Sequence, residues 1–424
     1  MNVRTPTGIA RTYYTLVLGN TLAASLIWGI NTLFLLDAGL SNLEAFAANA
    51  FFTAGMVLFE VPTGVVADLW GRRRSFLLGT LTLSGATAAY VGLWAMDAPF
   101  WQWAVVSVLL GLGFTFFSGA TEAWLVDALQ ATGYQGTMEK VFGRGQVITG
   151  IATLVGSAGG GFLAQATNLA VPFVLRAAVL VAMFAVAFVL MRDLGFTPAE
   201  RSGPVAEVRQ IMSASIRYGW RVPAVRDLML AGAFTGGVSI YAFYALQPYL
   251  LELWGDPKAY GVAGVAAAVL SAAQIAGGLL ALRVRRFFAR RTSALLFLDA
   301  VAAASILAAG LAAQFYVVMA LTVVWGMVFA AGLPIRQAYL NASIPSRQRA
   351  TILSFDSLVA SSGGVVAQPA LGRAADVWGY PATFVASGII HAFALPFVAH
   401  ARSHNAAGER DASPATREAA PGSA

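Results

Sequence analysis

The chain has 424 residues, 58% apolar and 11% charged, with a mean hydropathy of +0.70 and a formal net charge of +7 at pH 7. A soluble domain carries about 25% charged residues. Here charge is missing from whole windows, among them Thr12–Leu36, Ala98–Thr121 and Val377–Ala401, each long enough to cross a bilayer core of about 30 Å at about 1.5 Å per residue. Such windows exclude a soluble core and predict an all-α polytopic membrane protein. The chain has no cysteine, which excludes a disulfide framework and a thiolate metal site.

In chain order the apolar windows predict twelve spans, at 13–37, 43–67, 75–96, 99–128, 140–166, 170–191, 227–251, 258–282, 292–313, 315–342, 350–371 and 380–400. Breaks fall at Gly, Pro, Asn, Asp and charge clusters such as Asp97-Ala-Pro99, Thr167-Asn168 and Asp256-Pro257. The first window is too long for a signal-peptide core and many spans follow it, so it reads as a retained helix. Residues 192–226 are the longest polar interval. Within it Val205, Val208, Ile211, Met212 and Ile216 recur at helical spacing among arginines, which fits an amphipathic helix on the membrane face or a plain linker. After residue 401 the composition turns to Ala, Ser, Gly, Glu and Arg, and a disordered tail is expected over 401–424. The organisation is therefore a six-helix bundle in 1–191, a central loop in 192–226, a second six-helix bundle in 227–400, and the tail.

On this scheme every Lys and Arg except Arg176, Lys258 and Arg373 lies on the side that carries Arg72–Arg74 and Arg283–Arg291. The positive-inside rule then places that side and both termini in the cytoplasm, with the bundle in the cell membrane. The basic balance is topology, and no nucleic-acid partner is expected. The halves also resemble each other. Gly161-Phe-Leu-Ala-Gln-Ala-Thr-Asn-Leu-Ala-Val-Pro-Phe173 parallels Gly372-Arg-Ala-Ala-Asp-Val-Trp-Gly-Tyr-Pro-Ala-Thr-Phe384, and Gly64 parallels Gly278 ahead of a second basic loop. Internal repeats of this kind mark carriers that rock one half against the other.

The stretch Glu60-Val-Pro-Thr-Gly-Val-Val-Ala-Asp-Leu-Trp-Gly-Arg-Arg-Arg-Ser75 gives this a family context. Within it Gly64-x-x-x-Asp68-x-x-Gly71-x-Arg73-Arg74 resembles the loop 2–3 signature of the major facilitator superfamily, with Leu69 where the family has a cation. Span count, central loop, repeat and sidedness agree with that resemblance over 13–400. It implies a secondary carrier with a cavity lined by spans 1, 4, 7 and 10, and a cytoplasmic latch between spans 2, 3, 4 and 11. Asp68 is then expected to meet the positive N-terminus of span 11 near Thr351. Gly64 and Gly71 would allow the close approach and tight turn, and Arg73 and Arg74 would bridge to Glu122 and Asp127. Gly156-Ser-Ala-Gly-Gly160-Gly161 resembles the antiporter motif Gly-Pro-x-x-Gly-Gly, with Ser157 in place of proline. The arginine that drug–proton antiporters carry in span 4 is missing from Val105–Gly119.

A charge at bilayer depth costs about 2.5–3.5 kcal/mol on insertion scales, so each implies a partner or a function. Glu60, Glu122, Arg144, Asp299, Arg336 and Asp356 all fall in the cytoplasmic half of their spans. The repeat pairs span 4 with 10 and span 5 with 11. Ion pairs Glu122–Arg336 and Arg144–Asp356 are therefore expected across the halves, closing the cytoplasmic side when the cavity faces out, with pairing inside each half as the alternative. Glu60, Glu122, Asp299 or Asp356 would accept a coupling proton; His391 is of a residue type able to carry one, but the resemblance makes span 12 peripheral. The family geometry places Asn20, Trp28, Asn31, Phe114, Phe117, Tyr241, Tyr244, Gln247 and Trp325 at the cavity, with Gln146 and Gln274 beside them. Aromatic walls with scattered amides, and no arginine cluster for a phosphate or carboxylate cargo because Arg176 and Arg373 stand alone, suit an amphipathic or lipophilic small molecule.

The expected function is export of such a molecule, as a drug or natural product, by proton antiport through a monomer. Import of a small neutral nutrient, or a membrane sensor built on the carrier fold, are the alternatives. The sequence shows no nucleotide-binding loop and no metal-ligand constellation, so neither ATP-driven pumping, nor a cofactor or metal, nor an enzymatic activity is expected.

Overall fold

The computed structural model describes residues 5–198, 220, 222–344, 349–404 and 407–409. The first half contains α1 (Pro6–Ser25), α2 (Asn31–Asp37), α3 (Asn42–Trp70), α4 (Arg72–Ala95), α5 (Phe100–Thr115), α6 (Ala120–Ala131), α7 (Met138–Ala166) and α8 (Ala170–Leu190). The second contains α9 (Pro223–Trp254), α10 (Tyr260–Arg286), α11 (Arg291–Leu311), α12 (Phe315–Ser343), α13 (Arg349–Ala392) and α14 (Ala394–Ser403). Below, the basic face is the end of the bundle that carries Arg72–Arg74 and Arg283–Arg291. The far face is the end that carries Asp37, Asn42, Asn168 and Asp256.

Ten helical stretches among the described residues are long and apolar enough to cross a membrane. One of them, Phe355–Ser403, has 49 residues, about 74 Å of helix at 1.5 Å per residue and more than twice a bilayer core. It reverses at Gly379, whose φ of 77° suits glycine alone. Pro381 then opens the returning helix, where a missing N–H does no harm. The first crossing, α1 plus α2, is broken at mid-depth. Counting both gives the twelve crossings expected.

Three boundaries differ from the sequence reading. Spans 11 and 12 need no connecting loop, because one glycine turns the chain. Span 4 is not continuous: it breaks at Phe116–Gly119, with Gly119 at φ 67°. There the Ser75 hydroxyl donates to the Phe116 carbonyl at 2.8 Å, replacing the helical partner that the break removes. The expected disorder from 401 fails for the first residues of the tail. Helix α14 runs to Ser403, and a short turn at Ala407–Glu409 packs on α11. Buried Glu409 accepts from the Thr292 hydroxyl at 2.6 Å, and Arg291 donates to the Gly408 carbonyl at 2.7 Å. The apolar positions 205, 208, 211, 212 and 216 of the central loop lie outside the described residues.

The turn between α3 and α4 is built around an acid that sequence reading did not single out. Gly71 has φ 99°, and a Cβ there would collide with the Asp193 carboxylate. That carboxylate accepts the Arg73 N–H at 2.9 Å, capping the exposed start of α4 from just beyond α8. The Arg73 guanidinium donates to the Phe188 carbonyl at 2.6 Å and lies 5.0 Å over the Phe188 ring. Burial pushes the Asp193 carboxyl above its ordinary 3.8, against the lowering pull of the Arg73 N–H and of the Arg73, Arg74 and Arg72 charges. Between the two values the native chain keeps a proton that the unfolded chain has lost, so this group makes stability fall as pH rises through that window. Asp193→Asn keeps an acceptor for Arg73 and is expected to flatten that slope. Melting temperatures of the purified protein across the mildly acidic range check this; parallel curves for wild type and variant would overturn it.

Candidate functional site

The two halves meet at the far face and at mid-depth, along two helix pairs. On one side α7 packs against α10 through glycines: a Cβ at Gly161 would lie 2.5 Å from the Tyr260 carbonyl oxygen, and one at Gly264 would lie 2.6 Å from that of Ser157. On the other side α3 packs against α13. The Asp376 carboxylate accepts the N–H groups of Asn42 and Leu43 at 2.9 and 3.0 Å, so the first turn of α3 is capped from the opposite half. Tyr380 bonds the Asn42 side chain, and the Gln368 amide reaches Thr53 at 3.3 Å.

The break in the first crossing is also held across the seam. In a continuous helix the Thr32 N–H would donate to the Trp28 carbonyl. Instead the Gln247 side chain from α9 sits between them, donating to the Trp28 carbonyl at 2.7 Å and accepting the Thr32 N–H at 2.9 Å. Insertion of a side chain into the helical ladder is a recognised cause of such bends. Among the described residues, no hydrogen bond joins the halves nearer the basic face.

Behind this seam lies a cavity of about 380 Å³, within the range of small-molecule pockets. It runs from Tyr13 and Gln146, about two turns in from the basic-face ends of α1 and α7, and Glu122 in the first turn of α6, to Trp28 and Arg176 at its deep end. All of its lining comes from the first half. Asn20, Trp28, Phe114, Phe117 and Gln146 line it as expected. The other six expected residues do not. Asn31 is buried against α3, donating to Asn49 at 2.9 Å, and Gln247 is the clamp just described. Tyr241 is fully buried and donates to Thr383 at 2.8 Å, while Trp325 is buried beside Phe329. Tyr244 packs on Phe243, and Gln274 lies against Gly326. Family geometry describes a cavity shared by both halves. Here the second-half helices are pressed on the first half at mid-depth, and their polar groups are spent on that seam and core.

The cross-half pairs are expected with the cavity facing out; in this structure, closed at the far face, the charged residues pair otherwise. Arg336 makes a two-pronged pair with Asp356, one arm at 2.6 Å, and donates to the Leu228 carbonyl at 3.0 Å. All three belong to the second half, so neither Glu122–Arg336 nor Arg144–Asp356 forms; among the described residues Glu122 and Arg144 have no ion-pair partner. Glu60 accepts from the Ser118 hydroxyl at 2.6 Å and braces the α5–α6 break. Asp299 sits 3.7 Å from the wholly buried His391.

The expected latch is redrawn too. Asp68 pairs with Arg72 one turn on, Gly64 faces open space, and Arg73 gives its backbone N–H to Asp193 and one guanidinium arm to the Phe188 carbonyl, in place of Glu122 or Asp127. Among the described residues Arg74 makes no hydrogen bond or ion pair, but it adds its charge to the Asp193 corner. The sequence also showed no metal-ligand constellation, yet the buried Asp227 meets His400 and His404, their ligand atoms all within 4.8 Å. Asp227 is joined to them at 2.7 and 3.3 Å, an arrangement that clamps α14 to the start of α9.

Twelve crossings in two repeated halves, closed along one face around a one-sided cavity, define a membrane carrier. The chain belongs to the Major Facilitator Superfamily, whose family model matches residues 14–298 and 228–422; it is a transporter rather than an enzyme. Its fold is shared with the nucleoside transporter NupG, at a TM-score of 0.74 and 11% identity over 95% of this chain and 99% of that one. It is equally shared with a bacterial homologue of the human lysosomal transporter Spinster, at 0.73 and 15% over 97% and 100%. In sequence, 114 residues are 32% identical to Protein ZINC INDUCED FACILITATOR 1 of Arabidopsis thaliana, a match covering 27% of this chain and 22% of that protein's length.

Proposed function

We propose that the chain exports an amphipathic small organic molecule from the cytoplasm by alternating access, coupled to inward flow of protons across the cell membrane. The observation that carries this reading is the cavity. Its walls are mainly aromatic and aliphatic, with a few amides and hydroxyls, the composition that holds an amphipathic body and orients it. It reaches toward the basic face, which the arginine distribution assigns to the cytoplasm, while the far face is sealed. The Gly156–Gly161 stretch supports antiport, since the small residues that resemble the antiporter motif form the seam on which the halves turn.

Glu122 is the group best suited to exchange the proton. It lines the cavity, is exposed, and has no ion-pair partner among the described residues. Asp356 and Glu60 already hold partners, and Asp299 lies away from the cavity beside His391. Cells producing the protein are expected to retain less of an amphipathic fluorescent compound than cells lacking it, and a protonophore should erase the difference. Glu122→Gln should erase it too. Equal retention across a broad panel of neutral, cationic and acidic amphiphiles would overturn the export reading.

A further inference from the structure

Arg176 stands one and a half turns into α8 and is only 7% exposed. A guanidinium inside a membrane-spanning bundle is normally paired, because leaving it unpaired is expensive. Here it makes no hydrogen bond and no ion pair with any described residue, and its Nε is buried without an acceptor. The titratable groups near enough to act on it are the phenols of Tyr244 and Tyr90, neither of which supplies an anion. Tyr90 is moreover already bonded to Ser107 at 2.5 Å. The acids that might have answered it are engaged or placed elsewhere: Asp356 on Arg336, Asp376 on α3, Glu60 on Ser118. What Arg176 does face is the deep end of the cavity, beside Trp28 and Leu180.

We infer that Arg176 is the recognition group for an anionic cargo, so that the transported molecule is an amphipathic organic acid: an aromatic or apolar body carrying a carboxylate, sulfonate or phosphate. The inference rests on the carrier reading above and sharpens its substrate class. A guanidinium presents a planar fork of donors that matches such a group in two-pronged fashion. The indole of Trp28 and the aliphatic side chains near it supply the apolar contact. The charge layout adds direction. An acid entering past Glu122 gains nothing at the mouth and everything at the blind end, so the empty carrier holds a buried cation whose missing partner arrives with the cargo.

The test uses the full chain in lipid nanodiscs and a matched pair of probes, 2-naphthoate and its neutral amide, 2-naphthamide, with naphthalene-2-sulfonate as a second acid. Isothermal titration is expected to show both acids bound at least about tenfold more tightly than the amide, the measure of one charge-assisted hydrogen bond. Arg176→Gln should remove that preference by weakening the acids at least about tenfold while the amide still binds, which also shows that the variant is folded. Arg176→Lys should keep part of the preference, as a point charge without the fork. Equal binding of acid and amide by the wild type, no binding of the acids, or a loss in Arg176→Gln that strikes acid and amide alike would each overturn the inference. If the acids fail while cells still exclude neutral amphiphiles, the anion site falls and the carrier reading stands. If no compound is excluded from cells, the export reading falls by itself.

Discussion

Replacing Gly161 with leucine is expected to raise the reactivity of a cysteine placed at Thr32, behind the far-face seam, by about fivefold or more. A Cβ at 161 would lie 2.5 Å from the Tyr260 carbonyl and 2.8 Å from Gly264 Cα, and both are backbone atoms that cannot swing aside. Helices α7 and α10 must therefore separate. Overpacking of this kind costs about 1–3 kcal/mol, which shifts a two-state equilibrium roughly 5- to 150-fold. The chain carries no cysteine of its own, so a single engineered thiol reports without background. The measurement is the rate of reaction of purified protein with a bulky maleimide. Gly150→Leu serves as the control, because a Cβ there meets only the mobile end of the Ile275 side chain at 3.4 Å. Unchanged reactivity at Thr32 would sink the view that the α7–α10 seam decides which face is open.

The second large effect concerns the second half alone. Asp356→Ala strands Arg336 with the Leu228 carbonyl as its one remaining partner. Removing one member of a buried pair costs about 3–5 kcal/mol. The two side chains are 22% and 10% exposed, so partial screening puts the loss near the lower end, about 3 kcal/mol. The double variant Arg336→Met/Asp356→Leu removes both charges together and is expected to recover most of the loss, since apolar replacement of a buried pair is often neutral. Thermal unfolding of the detergent-purified protein reads both. A wild-type melting temperature for Asp356→Ala would show that the pair carries no structural weight.

Most of the architecture was legible because a bilayer leaves few options: a charge-free window of the right length has to be a crossing. The twelve crossings and the meeting of repeated halves follow from that constraint and from the placement of arginines. The site was legible only in its first half. Asn20, Trp28, Phe114, Phe117 and Gln146 carry the aromatic and amide character that marks a cavity wall, and they lie there. Gln247 and Asn31 have the same character but serve the backbone and a neighbouring helix. Residue type cannot separate an amide facing a ligand from one inserted into a helix break. Arg176 was visible as a lone cation in an otherwise apolar span, but its burial was not, because six residues from a span's start is already deep once neighbouring helices cover it. The ion pairs expected across the halves belong to a state closed at the basic face, whereas this structure is closed at the far face; here Arg336 and Asp356 pair within their own bundle. Asp193 lies outside every motif and every span, and only the folded turn reveals that Gly71 and Arg73 are shaped around it.

The Gln247 clamp has a consequence for how the carrier moves. The bend between α1 and α2 is held by an amide that belongs to the other half, so the first crossing does not own its shape. When the halves part at the far face, the Trp28 carbonyl and the Thr32 N–H lose the group between them. In a dry interior neither can be left alone, and the nearest partner for each is the other. Parting the halves and straightening the first crossing are then one mechanical event, and the rotation it imparts to Trp28 reshapes the wall of the cavity as the far face opens.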